Sequence, residues 1–291
     1  METAEHSWPE YMYQALGEIY YGGGYDHRHI ERFARRCGGV DIETLERVLR
    51  ERAGEDKIIA IYALGYAHAP HVQQLLAPLL QSPISLEREA SAIALGRLKD
   101  ERALPALYSL LQAPFPDPDA AIDDEFLSMM SARMTIAAIL GDWGKLSSTS
   151  VLRSALKAIW QWEQQRVANP LIHDELIVSP WQAYEYELSY ALGQLGAFGA
   201  LTGIPLSNSR ERILMVFLAL GHLQARQRDH DLFTQMSHRA VQEEVTKVLE
   251  DQFGLSETER DTCIKQFGSD YLWEGALERH PSPLDEAGEE D

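Results

Sequence analysis

A tripeptide, Ala-Leu-Gly, recurs at Ala63–Gly65, Ala94–Gly96, Ala191–Gly193 and Ala219–Gly221, with a near copy, Ile-Leu-Gly, at Ile139–Gly141 and a weaker member at Ala15–Gly17. Internal recurrence constrains a fold more than any single segment does, because a repeated unit that cannot bury its apolar face alone must stack on its neighbours. Gly65 and Gly96 stand 31 residues apart. At 1.5 Å per residue this is enough for two helices of about three turns each and two tight turns. The residue eight places before the glycine is Lys57, Arg88 and Arg133 in three successive copies, and Glu185 and Ile213 in the later two.

The stretch from Leu86 to Gln112, LEREASAIALGRLKDERALPALYSLLQ, reads as one complete helical hairpin. Its first half spaces Ala90, Ile93, Ala94 and Leu98 so that small and branched apolar side chains share one stripe of a helix, leaving Glu87, Arg88, Glu89 and Arg97 for water. Glycine inside a helix costs about 1 kcal/mol against alanine, so Gly96 implies close approach by a neighbouring helix or an early helix exit. Lys99, Asp100 and Glu101 form a polar turn, and Ala103, Leu104, Leu107, Leu110 and Leu111 give a second apolar stripe. Pro105 falls in the first turn of that second helix, where backbone amides lack intrahelical partners and proline is tolerated.

These residues resemble a known family, the short HEAT-like repeats of the phycobilin lyase type, whose pattern is roughly V-R-x-x-A-A-x-A-L-G-x-L, a polar turn, and then A-x-x-x-L-x-x-L-L. The resemblance is strongest over Leu86–Gln112, extends to Asp56–Gln81, and is partial over Ala132–Trp160 and Glu185–Leu232. It implies an all-α fold, a right-handed α-α superhelix of about five to six helical hairpins, with the Ala-Leu-Gly glycines packed between adjacent repeats. The expected organisation is a single repeat domain over 1–277, with insertions near 113–131 and 163–182, followed by a disordered acidic tail over 278–291. The family includes lyase subunits, iron hydroxylases, nucleic-acid enzymes and plain adaptors, so its members share an architecture and not an activity.

A hydrophobic fraction of 45% is ample for a buried core. The 26 basic residues against 45 acidic ones leave a formal net charge of -19. That balance argues against a nucleic-acid partner, since phosphate contact needs a basic surface, and it favours solubility and a basic partner. Cys37 and Cys263 lie far apart with no C-x-x-C spacing and read as reduced or buried thiols. No apolar run approaches about 18 residues, and METAEHSWPEYM lacks the basic and apolar parts of a signal peptide, so the expected location is cytoplasmic, with no membrane partner.

Along the chain, Trp8, Tyr11, Tyr13, Tyr20, Tyr21 and Tyr25 surround Gly22, Gly23 and Gly24, an aromatic segment expected to cap the repeats. The three glycines follow no strand and precede no G-K-S/T, so they are no phosphate loop. Helices are expected over Ile42–Ala53 and Asp56–Ala67, separated by Gly54, and Pro78 should kink or shorten the helix that carries Val72, Leu75, Leu76, Leu79 and Leu80. After Gln112 the run APFPDPDAAIDDE lacks the glycine and the spacing of a calcium loop; Asp117 and Asp119 are expected to start a turn and cap the next helix. Two long helices should fill Ser128–Gln165, a second insertion leads to the helix EYELSYALGQLG, and Asp231–Phe253 continues the amphipathic pattern. Ser256 followed by Glu259 is a capping-box signal for one more helix.

Little in the chain speaks for catalysis. Iron hydroxylases of this repeat class bind two metals through paired His-Glu dipeptides, as the resemblance would imply; the comparable places here read Arg88-Glu89 and Tyr186-Glu187, and no His-Glu occurs anywhere. His27 with His29, and His68 with His71, bring no further ligands at a familiar spacing, and there is no G-x-S-x-G elbow or cysteine-histidine signature. No metal or cofactor is expected. The expected function is a protein-protein interaction scaffold using the concave face of its stacked second helices. The resemblance implies an alternative, a bilin-lyase-like or chaperone-like subunit acting on a tetrapyrrole-carrying protein.

Once the apolar stripes are assigned to the core, His71, Gln74, Tyr108, Arg153, Lys157 and Gln161 are left as candidate partner-binding positions. Arg153 and Lys157 are four apart and share a helical face, and Trp160 or Trp162 would supply a buried anchor, since tryptophan and arginine dominate interface energetics. Trp143, Trp160, Trp162, Trp181, Tyr184, Tyr186 and Tyr190 gather near the insertions, where solenoids often carry their binding function. The tail has too few apolar residues to offset the roughly 1 to 2 kcal/mol per residue that backbone ordering costs. Deleting residues 278–291 is therefore expected to leave the melting temperature unchanged, and a clear fall in thermal unfolding of the truncated chain would show that the tail docks.

Overall fold

Apolar side chains that return every three or four residues make helices of the regular elements in the computed structural model, which describes residues 42–67, 69–120, 122–166, 179–228 and 236–267. The N-terminal aromatic segment, Cys37, the His27 and His29 pair, His68, residues 167–178, residues 229–235 and the acidic tail lie outside them. The described residues contain no strand and eleven α-helices: α1 (Ile42–Glu51), α2 (Glu55–Leu64), α3 (Pro70–Leu76), α4 (Ser85–Arg97), α5 (Leu104–Gln112), α6 (Asp124–Trp143), α7 (Thr149–Gln165), α8 (Pro180–Gln194), α9 (Asn208–Gln227), α10 (His238–Phe253) and α11 (Glu257–Phe267). They pack as two compact units, with divisions at Ile139/Leu140 in α6, Glu163/Gln164 in α7 and Pro180/Trp181 in α8.

In the first unit α1 packs on α2, α2 on α4, and α4 on both α5 and the 3-10 turn Ala77–Gln81. The inner helices are buried all round rather than along one stripe: Ile58 to Leu64 of α2 and Ala90 to Gly96 of α4 are all sequestered from water. α3 ends at Leu76 and continues as the 3-10 turn that contains Pro78, the shortening expected of a proline with no amide hydrogen to donate. Pro105 sits in the first turn of α5, as its position in the hairpin predicts.

The Ala-Leu-Gly glycines mark where helices approach most closely. A Cβ added to Gly65 would stand 2.8 Å from Ala94 Cα, so α2 and α4 are in backbone contact there. In the second unit a Cβ on Gly141 would stand 2.8 Å from Ala191 Cα, one on Gly193 2.9 Å from Leu218 Cα, and one on Gly221 2.9 Å from the Tyr190 carbonyl carbon. Gly96 differs, because its nearest neighbours are side-chain ends, Leu107 Cδ1 at 2.9 Å and Ile139 Cγ2 at 3.0 Å.

Burial of the inner helices overturns the expectation that Glu87, Glu89 and Arg97 face water; only Arg88 of that set is exposed. Glu87 is 5% exposed and accepts from Lys57 Nζ at 2.7 Å and Ser82 Oγ at 2.6 Å. Burial pushes its carboxyl pKa up, but the donors Lys57 and Ser82 outweigh that and hold it below the usual range. Glu89 is half-buried, and burial raises its pKa against the opposing charge of Arg133. Arg97 lies over the Tyr66 ring at 4.6 Å. The basic residue eight places before the glycine has a structural use. Lys57 holds the acid of the next inner helix, while Arg88 donates to Ser82 O and Arg133 to Ala113 O, both at 2.7 Å. Ser82 and Ala113 are the residues that end the preceding second helices, so the arginines satisfy carbonyls that have no intrahelical partner.

A second correction concerns the first insertion. Asp117 starts a turn, accepting from Asp119 N at 3.0 Å, but α6 is capped by Asp123, whose Oδ1 accepts from Phe126 N at 2.8 Å. In the second unit α9 packs on α10 and α11 around Tyr190, Val216, Phe217, Leu220, Leu223, Val241, Val245, Leu249 and Cys263. α10 ends on Gly254 at a left-handed φ of 63°, and Ser256 donates to Glu259 from both its amide and its hydroxyl, which completes the acidic half of the capping box. Gly193→Ala and Gly221→Ala meet rigid backbone and are each expected to cost about 2 kcal/mol or more by overpacking. Gly96→Ala meets movable methyl groups and gains helix propensity, so it should fall within about 1 kcal/mol of wild type; urea unfolding of the three variants checks the order.

Candidate functional site

The second unit contains five of the eight candidate positions, all on α7. Val151, Leu152, Ala155, Leu156, Ile159 and Trp162 form its buried stripe, which turns Arg153, Lys157 and Gln161 together to the opposite, exposed face. Trp160 is half-buried on the flank. Arg153 spends one donor within the unit, from Nη2 to Thr202 O at 2.6 Å. Leu146, in the 3-10 turn that leads into α7, is 72% exposed. The other three candidates belong to the first unit. His71 and Gln74 are exposed on α3, with His71 Nε2 2.7 Å from Glu46 Oε1, and Tyr108 is half-buried on α5.

The aromatic concentration between Trp143 and Tyr190 serves packing. Trp162 is 5% exposed and lies edge-on to Trp181 with ring centroids 5.9 Å apart. Of the two tryptophans expected to anchor a partner, Trp162 is thus enclosed within its own unit, and Trp160 keeps part of its ring exposed. Tyr184 and Tyr190 are buried, and Tyr186 stacks on Phe217 at 4.7 Å. Beneath them runs a buried polar chain: Tyr190 Oη donates to Gln224 Oε1, Gln194 Nε2 donates to the same oxygen at 2.7 Å and to Asp142 Oδ1 at 2.8 Å. Arg228 closes the end of α6 by donating to Asp142 O at 2.8 Å and Gly141 O at 3.2 Å.

The strongest electrostatic feature was not singled out from the sequence. Arg210, in the first turn of α9, donates to Glu185 of α8 and to Glu163 of α7, and Trp181 Nε1 donates to Glu163 Oε1 at 2.9 Å. Burial pushes the Glu185 carboxyl pKa up to about 7, with Arg210 acting against the shift. The one sequence signal for this cluster was that Glu185 stands where earlier repeats carry a base. Elsewhere, the Cys263 thiol is buried and its pKa raised by that burial. Among the described residues no group of three or more His, Cys, Asp or Glu is placed to hold a metal ion, and no helix is long and apolar enough to cross a membrane.

Comparison with known families matches residues 42–122, from α1 to the loop before α6, to HEAT repeats. No curated protein matches the chain. HEAT repeats over residues 42–122, with helices and no strand among the described residues, indicate a helical solenoid. Arg210→Ala removes the cation that holds the Glu185 pKa down, so Glu185 takes up a proton at neutral pH and the cost grows as pH rises above 7, toward about 3 kcal/mol, whereas adding Glu185→Leu should remove that pH dependence. Urea unfolding of the single and double variants at several pH values measures both.

Proposed function

We propose that this protein is an interaction scaffold that receives a protein partner on the exposed face of α7. The observation that carries the proposal is a local reversal of charge. The chain has a net charge of -19, yet α7 from Thr149 to Trp162 contains Arg153 and Lys157 and no acidic residue. Those two cations and Gln161 stand in line on one exposed face, with the exposed Leu146 at one end and Trp160 beside the other. The arrangement suits a partner that brings carboxylates to the cations and an apolar side chain to Trp160, and the second helices of a solenoid are the surfaces free to do this. His71, Gln74 and Tyr108, on α3 and α5, form a second candidate contact of the same kind.

A pull-down from source lysate with wild type beside the Arg153→Ala, Lys157→Ala double variant, after both are shown to melt alike, tests the proposal. The variant is expected to lose a protein that wild type retains, and raising the salt should release that protein from wild type. A partner held equally by both places the site elsewhere. The likeness of Leu86–Gln112 to phycobilin lyase repeats supports a second reading, a lyase-like subunit that holds a tetrapyrrole or the protein receiving it. An absorption spectrum of the protein purified from its source separates the two, since bound bilin gives visible bands.

A further inference from the structure

The buried charges of the second unit do not balance. Glu163 near the end of α7, Glu185 in α8 and Arg210 in α9 set two carboxylates against one guanidinium. Arg210 Nε donates to Glu185 Oε2 at 2.8 Å, its Nη2 donates to the same oxygen, and its Nη1 donates to Glu163 Oε2. Glu163 turns its other oxygen to the Trp181 indole. Glu185 Oε1 is enclosed and has no hydrogen-bond donor among the described residues, and the Glu185 side chain is 0% exposed. With both carboxylates ionised, the trio carries one net negative charge; the Arg210 and Glu163 side chains keep 18% and 20% of their surface exposed, but Glu185 has none, and its Oε1 is unsatisfied. A single proton on Glu185 Oε1 removes the excess charge. It brings the trio to neutrality and leaves Oε2 as an acceptor for Arg210.

We infer that Glu163, Glu185 and Arg210 form a proton-operated latch joining α7, α8 and α9. Uptake of one proton by Glu185 leaves the guanidinium charge to Glu163 and strengthens the tie of α7 to α9, with α8 keeping a neutral acceptor on Arg210; loss of that proton puts a second anion on the same guanidinium at a carboxyl closed to water and weakens the cluster. The groups that act on Glu185 are Arg210 from α9 and Glu163 from α7, with Tyr186 on its own helix kept neutral by a phenol pKa that burial raises. Burial places the Glu185 exchange at about 7, against 4.5 for an ordinary glutamate carboxyl. A folded-state value above the unfolded one means the stabilisation is fully present below the unfolded value and is lost as pH rises through the folded one, so the latch closes as pH falls toward 4.5 and opens above about 7. The inference does not depend on any partner.

The test follows the Trp181 indole N–H by NMR in the full chain across neutral pH, the resonance being assigned by its absence in Trp181→Phe. It is expected to move with a midpoint near 7 and to stay fixed in Glu185→Gln, which imitates the protonated acid. The chain has ten histidines, and the difference between the two proteins removes any contribution of theirs. An indole signal that titrates identically in Glu185→Gln, or that does not move in the wild-type chain, overturns the latch. Should Glu185→Gln fail to fold, Arg210→Lys keeps the charge while losing the forked donor set, and is expected to displace the midpoint. An unchanged midpoint in that variant overturns the latch as well.

Discussion

Backbone contact between neighbouring inner helices is the constraint on which the rest of the structure depends. Two helices lie this close only where one of them lacks a side chain, and the Ala-Leu-Gly glycines supply that gap at Gly65, Gly141, Gly193 and Gly221. The small residue before the leucine serves the same end: Ala94 is what Gly65 meets, and Ala191 is what Gly141 meets. Close approach then fixes which positions can hold anything larger. From Ile58 to Leu64 of α2 and from Ala90 to Gly96 of α4 the inner helices are enclosed, so a charged group buried beside these stretches needs its partner inside the protein.

That requirement explains the charges found there. In the first unit the base eight places before the glycine meets it by turning to an acid of the next inner helix, at Lys57 and Glu87, or to a carbonyl at a helix end, at Arg88 and Arg133. Each of these gives a buried or half-buried group a partner, and the buried charge that Arg133 brings is met by the half-buried Glu89 carboxyl. In the second unit the equivalent position is acidic, and Glu185 draws its counter-charge from Arg210, which Glu163 shares. The same geometric slot thus holds a structural tie in one unit and an over-subscribed guanidinium in the other.

Much of the fold was legible because its signals are local. Tripeptide spacing, the Pro78 break, the Pro105 start and the pairing of Ser256 with Glu259 each follow from backbone chemistry within a few residues. What escaped depends on partners distant in the chain. Glu87 has the look of a solvated residue until Lys57, thirty positions earlier, is known to lie beside it. Asp117, Asp119 and Asp123 are equally good cap residues by type, and only the observed start of α6 selects Asp123. The α7 positions were partly legible: helical periodicity turns Arg153, Lys157 and Gln161 outward, but it could not rank Trp160 above Trp162, because that depends on Trp181 closing over one of them.

Net charge and local charge answer different questions in such a molecule. Surface charges farther apart than a screening length of about 8 Å at physiological ionic strength scarcely influence one another, so a total of -19 spread over many helices sets solubility and general repulsion. A partner at contact responds instead to the few charges within that distance. On α7 the charges among the exposed positions up to Gln161 are Arg153 and Lys157, and the first acid, Glu163, already shares Arg210 and the Trp181 indole. Because Glu163 is held inward, it does little to offset Arg153 and Lys157. The ion-pair cluster beneath α7 therefore helps keep its outer face basic in a protein whose charges sum to -19.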